Sequence, residues 1–239
     1  METFSTLPVR RVQEHAMNPM DRLYWPATLA PVRSILDDGL DLGAATVFVG
    51  DNGTGKSTVV EGIAAAFGLN AEGGTHNAMH RTYATESHLA KHLQLIRGAG
   101  ASKRGLFLRA ETMHGHFSYL QGLGLQGLHE RSHGEAFLDF VQQRSRIRGL
   151  WVLDEPESAL SMAGCFALLD VLCHLAADGS QVVLSTHSPL LAAFPGAEVI
   201  EVGEWGLRHT HYDDLELVRG WRSFLEDPQR FLAMLGRAR

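Results

Sequence analysis

The chain has 239 residues, 45% of them hydrophobic and 20% charged, the proportions of an ordinary globular protein with enough apolar material for a full core. A formal net charge of −6 gives the average surface no electrostatic footprint for nucleic acid, so such a partner is open only through a local basic patch. No stretch approaches the ~20 apolar residues that span a bilayer, and residues 1–20 lack the continuous apolar core of a signal peptide, so the expectation is a cytoplasmic chain with no membrane span.

From the amino end, residues 9–15 and 42–49 read as strand-forming. They are parted by a stretch punctuated by Pro19, Pro26 and Pro31 that is expected to be mostly irregular. Together they predict an antiparallel amino-terminal lobe. The β-branched, apolar run from Thr46 to Val49 leads into Gly50-Asp51-Asn52-Gly53-Thr54-Gly55-Lys56-Ser57, which matches the phosphate-loop pattern G-x-x-x-x-G-K-[ST] at every fixed position. Val59, Val60, Ile63, Ala64 and Phe67 then recur at helical spacing. A glycine-rich turn with a chance lysine is the plain alternative, but it leaves the order strand, loop, helix unaccounted for. The glycines let backbone N–H groups turn inward onto phosphates, aided by the helix dipole. Asp51, Asn52, Gly53, Thr54, Gly55, Lys56, Ser57 and Thr58 are therefore the candidates for binding a nucleoside triphosphate. Lys56 is suited to the β- and γ-phosphates, and Ser57 offers its hydroxyl to Mg²⁺.

Residues 68–105, rich in Gly, His, Ala and Ser, carry two short helical candidates and read as a variable insertion. Residues 106–110 predict a strand, with Glu111 just beyond it. Residues 135–147 predict a helix within a short helical region, 112–148. Ser132 and Glu135 are spaced as a capping box at the start of that helix, and a helix N-terminus with a free serine is also an anion site. Residues 150–153 are a wholly apolar strand ending in Asp154 and Glu155. Asp154 can hold Mg²⁺, and Glu155, expected to point elsewhere because strand side chains alternate, can orient or deprotonate water. A cap for the following helix is the alternative role for this acidic pair.

Residues 162–176 (helix), 181–185 (strand), 189–194 (short helix) and 197–202 (strand) then alternate, which implies a parallel sheet with crossover helices. His187 follows a strand end, 33 positions after Asp154, where such a sheet presents its loops to a ligand, and is a candidate contact for the γ-phosphate. The tail, 213–239, predicts two helices, with Asp227-Pro228 as cap and first helical position of the second. Cys165 and Cys173, eight apart on one helix, are too far apart for a disulfide. His88 and His92 fall at i, i+4, and His114 and His116 flank Gly115, but no neighbouring carboxylate or cysteine completes a zinc set. The expected fold is α/β: a P-loop nucleotide-binding domain over 1–239 with a mostly parallel sheet flanked by helices, an antiparallel N-terminal lobe and a small helical insertion.

The segments 50–58, 132–135, 150–160 and 185–189 occur in the order found in ABC-type ATPases. The chain resembles that family, and within it the small soluble ATPases related to the heads of chromosome-maintenance and double-strand-break-repair proteins. Ser132-His133-Gly134-Glu135 resembles the signature motif with two substitutions, and Glu157-Ser158-Ala159-Leu160 resembles the D-loop. The resemblance implies Mg²⁺-dependent ATP hydrolysis with Glu155 and His187 as catalytic residues. It also implies a head-to-tail homodimer in which Ser132, Gly134 and Glu135 of one subunit close over ATP held by Lys56 and Ser57 of the other. Glu111 matches the family's Mg²⁺-binding glutamine, joining Ser57 and Asp154 as metal ligands. Only 20 residues separate Glu111 from Ser132, which excludes a long coiled-coil arm. The same shortness leaves little room for the helical subdomain by which transporter ATPases grip membrane partners. An ATP-gated switch acting on an unidentified protein partner, and a DNA-repair or defence ATPase, are the alternatives.

Overall fold

The computed structural model describes residues 6–69, 88–109 and 133–236. Apolar continuity decides its centre. The strands β3 (Ala45–Val49), β6 (Leu150–Asp154) and β7 (Gln181–Thr186) are buried at every position, which demands cover on both faces of a sheet. With β5 (Gly105–Arg109), β8 (Glu198–Gly203) and β9 (Gly206–His209) they form a six-stranded sheet in the order β5-β6-β7-β3-β8-β9. Every neighbouring pair is parallel except β8 and β9, which form an antiparallel hairpin.

The pleat sends alternate residues to opposite cores. Phe48, Val152, Val183 and Ile200 join one core with Val59, Val60 and Ile63 of helix α2 (Lys56–Phe67) and Val32 and Ile35 of helix α1 (Ala30–Asp38). Val47, Trp151, Leu153 and Leu184 join the other. There they pack against α3 (His133–Arg144), α4 (Met162–Ala177), α5 (Pro189–Ala192) and α6 (Glu216–Glu226). Trp151 is fully buried, and its indole N–H is satisfied by donating to the Ile147 carbonyl at 2.9 Å. Helix α7 (Pro228–Gly236) follows α6, with Asp227 accepting from the Arg230 N–H at 3.0 Å as its cap.

A separate antiparallel sheet, β2-β1-β4, is built from β1 (Arg11–Glu14), β2 (Leu40–Asp41) and β4 (Leu93–Ile96). It is the expected antiparallel N-terminal lobe, but of the two segments expected to build it only 9–15 does so. β4 comes from the segment read as an insertion with helical candidates; of that segment, 88–92 is a short 3₁₀ turn and 70–87 lie outside the described residues. Gln181 ties lobe to sheet. Wholly buried at the start of β7, its side-chain oxygen accepts from the Val9 N–H at 2.8 Å, and its amide donates to the carbonyls of Val9 and Gly43 at 2.6 and 2.8 Å.

Two expectations are corrected. The proline-punctuated stretch ends in a regular helix, α1, with Pro31 in its first turn, where the missing N–H costs no hydrogen bond. The strand expected over 42–49 is β3, which enters the main sheet and not the lobe; the partner of β1 is instead the short β2 just before it.

Candidate active site

Strands β6, β7 and β3 are adjacent and parallel, so the segments leaving their carboxyl ends converge. Between β3 and α2, Gly53 and Gly55 take φ of 79° and 96°, left-handed values that glycine adopts without penalty. A Cβ on Gly50 would lie 2.4 Å from the Val202 carbonyl oxygen, so only glycine lets the loop leave β3 this close to β8. The loop closes on the Asp51 carbonyl, which accepts from the Thr54 hydroxyl and from Lys56 Nζ, both at 2.8 Å. Lys56 is 2% exposed, and its ammonium is also 3.4 Å from Glu155 Oε1. No side chain caps α2, so its first-turn N–H groups are not claimed by a capping oxygen.

Asp154 ends β6 with its side chain 3% exposed. Burial drives its carboxyl above the usual carboxylate range, opposed by the Ser185 hydroxyl, the positive charge of Arg109 and the Ser57 hydroxyl. Ser185 Oγ donates to Oδ1 at 2.5 Å, and Arg109 Nε lies 3.5 Å from Oδ2. The meeting of the Ser57 hydroxyl with the Asp154 carboxylate provides two hard oxygen donors, a set suited to Mg²⁺.

Glu155 has φ 46° and is the one non-glycine residue with positive φ among the described residues. The expectation that strand alternation aims its side chain is thereby corrected: the chain has left the pleat, and a left-handed backbone turns the carboxylate between Lys56 and His187. The backbone is held there by the Glu155 N–H donating to the Ser185 carbonyl at 3.1 Å. Its side chain makes no capping hydrogen bond to the 3₁₀ turn that follows, Pro156–Ala159, which removes the capping alternative. His187, just past β7, brings Nδ1 to 3.7 Å from Glu155 Oε2 and 3.4 Å from Glu157 Oε1.

The structure thus brings together Lys56, Ser57, Asp154, Glu155 and His187. Gly134 lies in the first turn of α3, where a Cβ would meet the Ala159 carbonyl oxygen at 3.0 Å, so this helix start abuts the D-loop-like segment. Glu135 lies in the same turn. Ser132, Glu111, His114 and His116 lie outside the described residues. His88 and His92 sit on a 3₁₀ turn, where i and i+3 eclipse and i and i+4 do not share a face. Among the described residues no group of three or more His, Cys, Asp or Glu side chains gathers as a metal site. Cys165 and Cys173 are free thiols, both pushed up by burial.

Sequence reasoning missed three contributors. Arg109 and Ser185 stand in register with Asp154 on the strands flanking it, a placement that strand order alone reveals. Glu157 was read as part of a D-loop and as a fallback for the base, not as the partner of the turn carrying His187.

No protein-family model matches the chain. Among curated proteins it is 28% identical over 177 residues to the cytochrome c biogenesis ATP-binding export protein CcmA of Nitrobacter hamburgensis, covering 66% of this chain and 86% of that one. It is 28% identical over 188 residues to the CcmA of Paramagnetospirillum magneticum, covering 70% and 85%. With the CcmA of Rhodopseudomonas palustris the identity is 31% over 170 residues, covering 64% of this chain and 84% of the relative. The chain belongs to the ABC-type P-loop ATPases. It binds and hydrolyses ATP. No helix among the described residues of this ATPase is long and apolar enough to cross a membrane.

Proposed function

We propose that the ATPase works at the cytoplasmic side as an ATP-driven head-to-tail homodimer whose hydrolytic step runs on Glu155. One observation carries the reading: three separate loops deliver a buried cation, Lys56, and the carboxylate of Glu155 to within 3.4 Å of each other, with His187 3.7 Å from that same carboxylate. In this scheme the amides of residues 51–58 and Lys56 Nζ hold the β- and γ-phosphates. Ser57 and Asp154, with Glu111 as the third oxygen ligand, would hold Mg²⁺, which when bound supplies neutralisation of the phosphate charge. Glu155 orients a water and takes its proton as the new oxygen–phosphorus bond forms. His187 steadies the γ-phosphoryl oxygens as the bond to ADP breaks. Most of the acceleration comes from positioning and charge stabilisation.

Ser132 of the partner subunit, beside the partner's Gly134 and the partner's Glu135 at a helix start, completes the shell around the γ-phosphate. An isologous dimer of this kind contains two such sites, so turnover depends on protein concentration. Closing and opening of the dimer is the motion offered to an unidentified protein partner. Export, the work named for the curated relatives, is the second reading of what that motion serves.

Sedimentation velocity tests the assembly. With Mg·ATP, Glu155→Gln should shift from monomer to dimer, and Ser132→Arg in the same background should stay monomeric while binding ATP. A protein that remains monomeric while hydrolysing ATP at a concentration-independent rate contradicts the dimer.

A further inference from the structure

Glu157 is placed as neither a base nor a simple cap. Its side chain is 8% exposed, and its Oε1 accepts two hydrogen bonds from the segment after β7: from the Thr186 hydroxyl at 2.6 Å and from the His187 N–H at 2.7 Å. Thr186 Oγ1 in turn accepts from the Ser188 N–H at 2.9 Å. One carboxylate oxygen therefore gathers the turn 186–188. The other, Oε2, is buried without a hydrogen-bond partner.

The consequence falls on His187. Its Nδ1 is buried and makes no hydrogen bond, yet lies 3.4 Å from Glu157 Oε1 and 3.7 Å from Glu155 Oε2. Carboxylates only accept, so a proton belongs on Nδ1 in this arrangement, and Nε2, the nitrogen left for a ligand, donates to a phosphoryl oxygen only when the ring carries both protons. The backbone N–H that Glu157 holds belongs to the same residue whose ring it flanks, so the position of that residue and the charge beside its ring come from one side chain. Glu157 also lies two residues beyond Glu155 on the short turn Pro156–Ala159. Together with the hydrogen bond from the Glu155 N–H to the Ser185 carbonyl, it directly links the segment carrying Glu155 to the segment carrying His187.

We propose that Glu157 is a positioning residue of the ATPase site: through Thr186 Oγ1 and the His187 N–H it fixes the distance of the His187 imidazole from the Glu155 carboxylate. The inference rests on the reading of Glu155 and His187 given above. A loop released by this carboxylate shifts the ring by an ångström or so without removing any group that binds the nucleotide. The loss therefore belongs in kcat, and a misplacement of that size costs up to ~10²-fold. Glutamine keeps an acceptor oxygen for both donors and should preserve the placement.

The test is steady-state ATP hydrolysis with Mg·ATP on single variants of the full chain at Glu157, Thr186 and His187 and on one double variant. Glu157→Ala should lower kcat by ~10- to 100-fold with KM changed less than about twofold, and Glu157→Gln should recover kcat to within about threefold of wild type. Thr186→Val, which removes one donor and leaves the acid in place, should fall between them and guards against failure of the alanine variant to fold. In a double-mutant cycle Glu157→Ala should add less than about twofold to the loss already caused by His187→Ala, because it acts through that ring. Wild-type kcat in Glu157→Ala, equal losses in the Ala and Gln variants, or multiplicative losses in the double mutant would each overturn the proposal. Failure of the underlying reading looks different: His187→Ala itself would then turn over at the wild-type rate.

Discussion

The left-handed backbone at Glu155 sets up a trade between stability and activity that two substitutions separate. At φ 46° and ψ 52° a side chain with a Cβ carries about 1–3 kcal/mol of backbone strain. Glycine relieves it but gains freedom in the unfolded chain, which returns about 0.4–1 kcal/mol. The difference leaves Glu155→Gly more stable than Glu155→Ala by roughly 1 kcal/mol, or about 2–4 °C in Tm for a chain of this size. Both variants lose the 3.4 Å approach to Lys56 equally, so that loss cancels in the comparison. Both should also lose at least ~10²-fold in turnover with the general base gone. Differential scanning calorimetry of the nucleotide-free variants, paired with phosphate release, reads the two effects separately. An alanine variant as stable as the glycine variant would refute the claim that this backbone is strained.

Three further outcomes are expected. Lys56→Ala should abolish ATP binding in a folded protein, since it removes the buried ammonium of the loop; undiminished affinity by calorimetry would contradict the phosphate assignment. Gln181→Leu strands the three backbone groups of Val9 and Gly43 that the amide satisfies; at about 1 kcal/mol each this costs roughly 3 kcal/mol and lowers Tm by about 6–12 °C, whereas a change under ~2 °C would deny the clamp. For Asp154 the folded carboxyl is raised by burial, so the folded state holds its proton more tightly than the unfolded one. That contribution is full below the ordinary carboxylate pKa near ~4 and is lost as pH rises through the raised value. The Tm of nucleotide-free Asp154→Asn relative to wild type should therefore climb from about pH 4 to neutrality, and a pH-independent difference would contradict the burial of a charged Asp154.

What was legible in the sequence was local. The fixed spacing from Gly50 to Ser57 and the fully apolar strand before Asp154 each declare themselves within ten residues, because loop geometry and burial on both faces constrain every position. What was illegible depended on distance or on backbone choice. β4 pairs with β1 across some 80 positions, from Gln13 to Gln94, and Gln181 reaches back 172 positions to Val9; no local periodicity announces either. Helix α1 was masked by prolines whose meaning depends on their place in a helix. The αL turn at Glu155 contradicts the strand pattern that leads into it. Arg109, Ser185 and Glu157 gain their significance only once strand order sets them beside Asp154 and His187.

The most direct test of Glu155 as the base is a paired measurement on Glu155→Gln, with ATP affinity by calorimetry and hydrolysis in a single turnover at saturating Mg·ATP. Removing the proton acceptor while keeping the shape should leave affinity within about threefold of wild type and slow hydrolysis at least ~10²-fold. A Gln variant that hydrolyses bound ATP at the wild-type rate would contradict the assignment of Glu155.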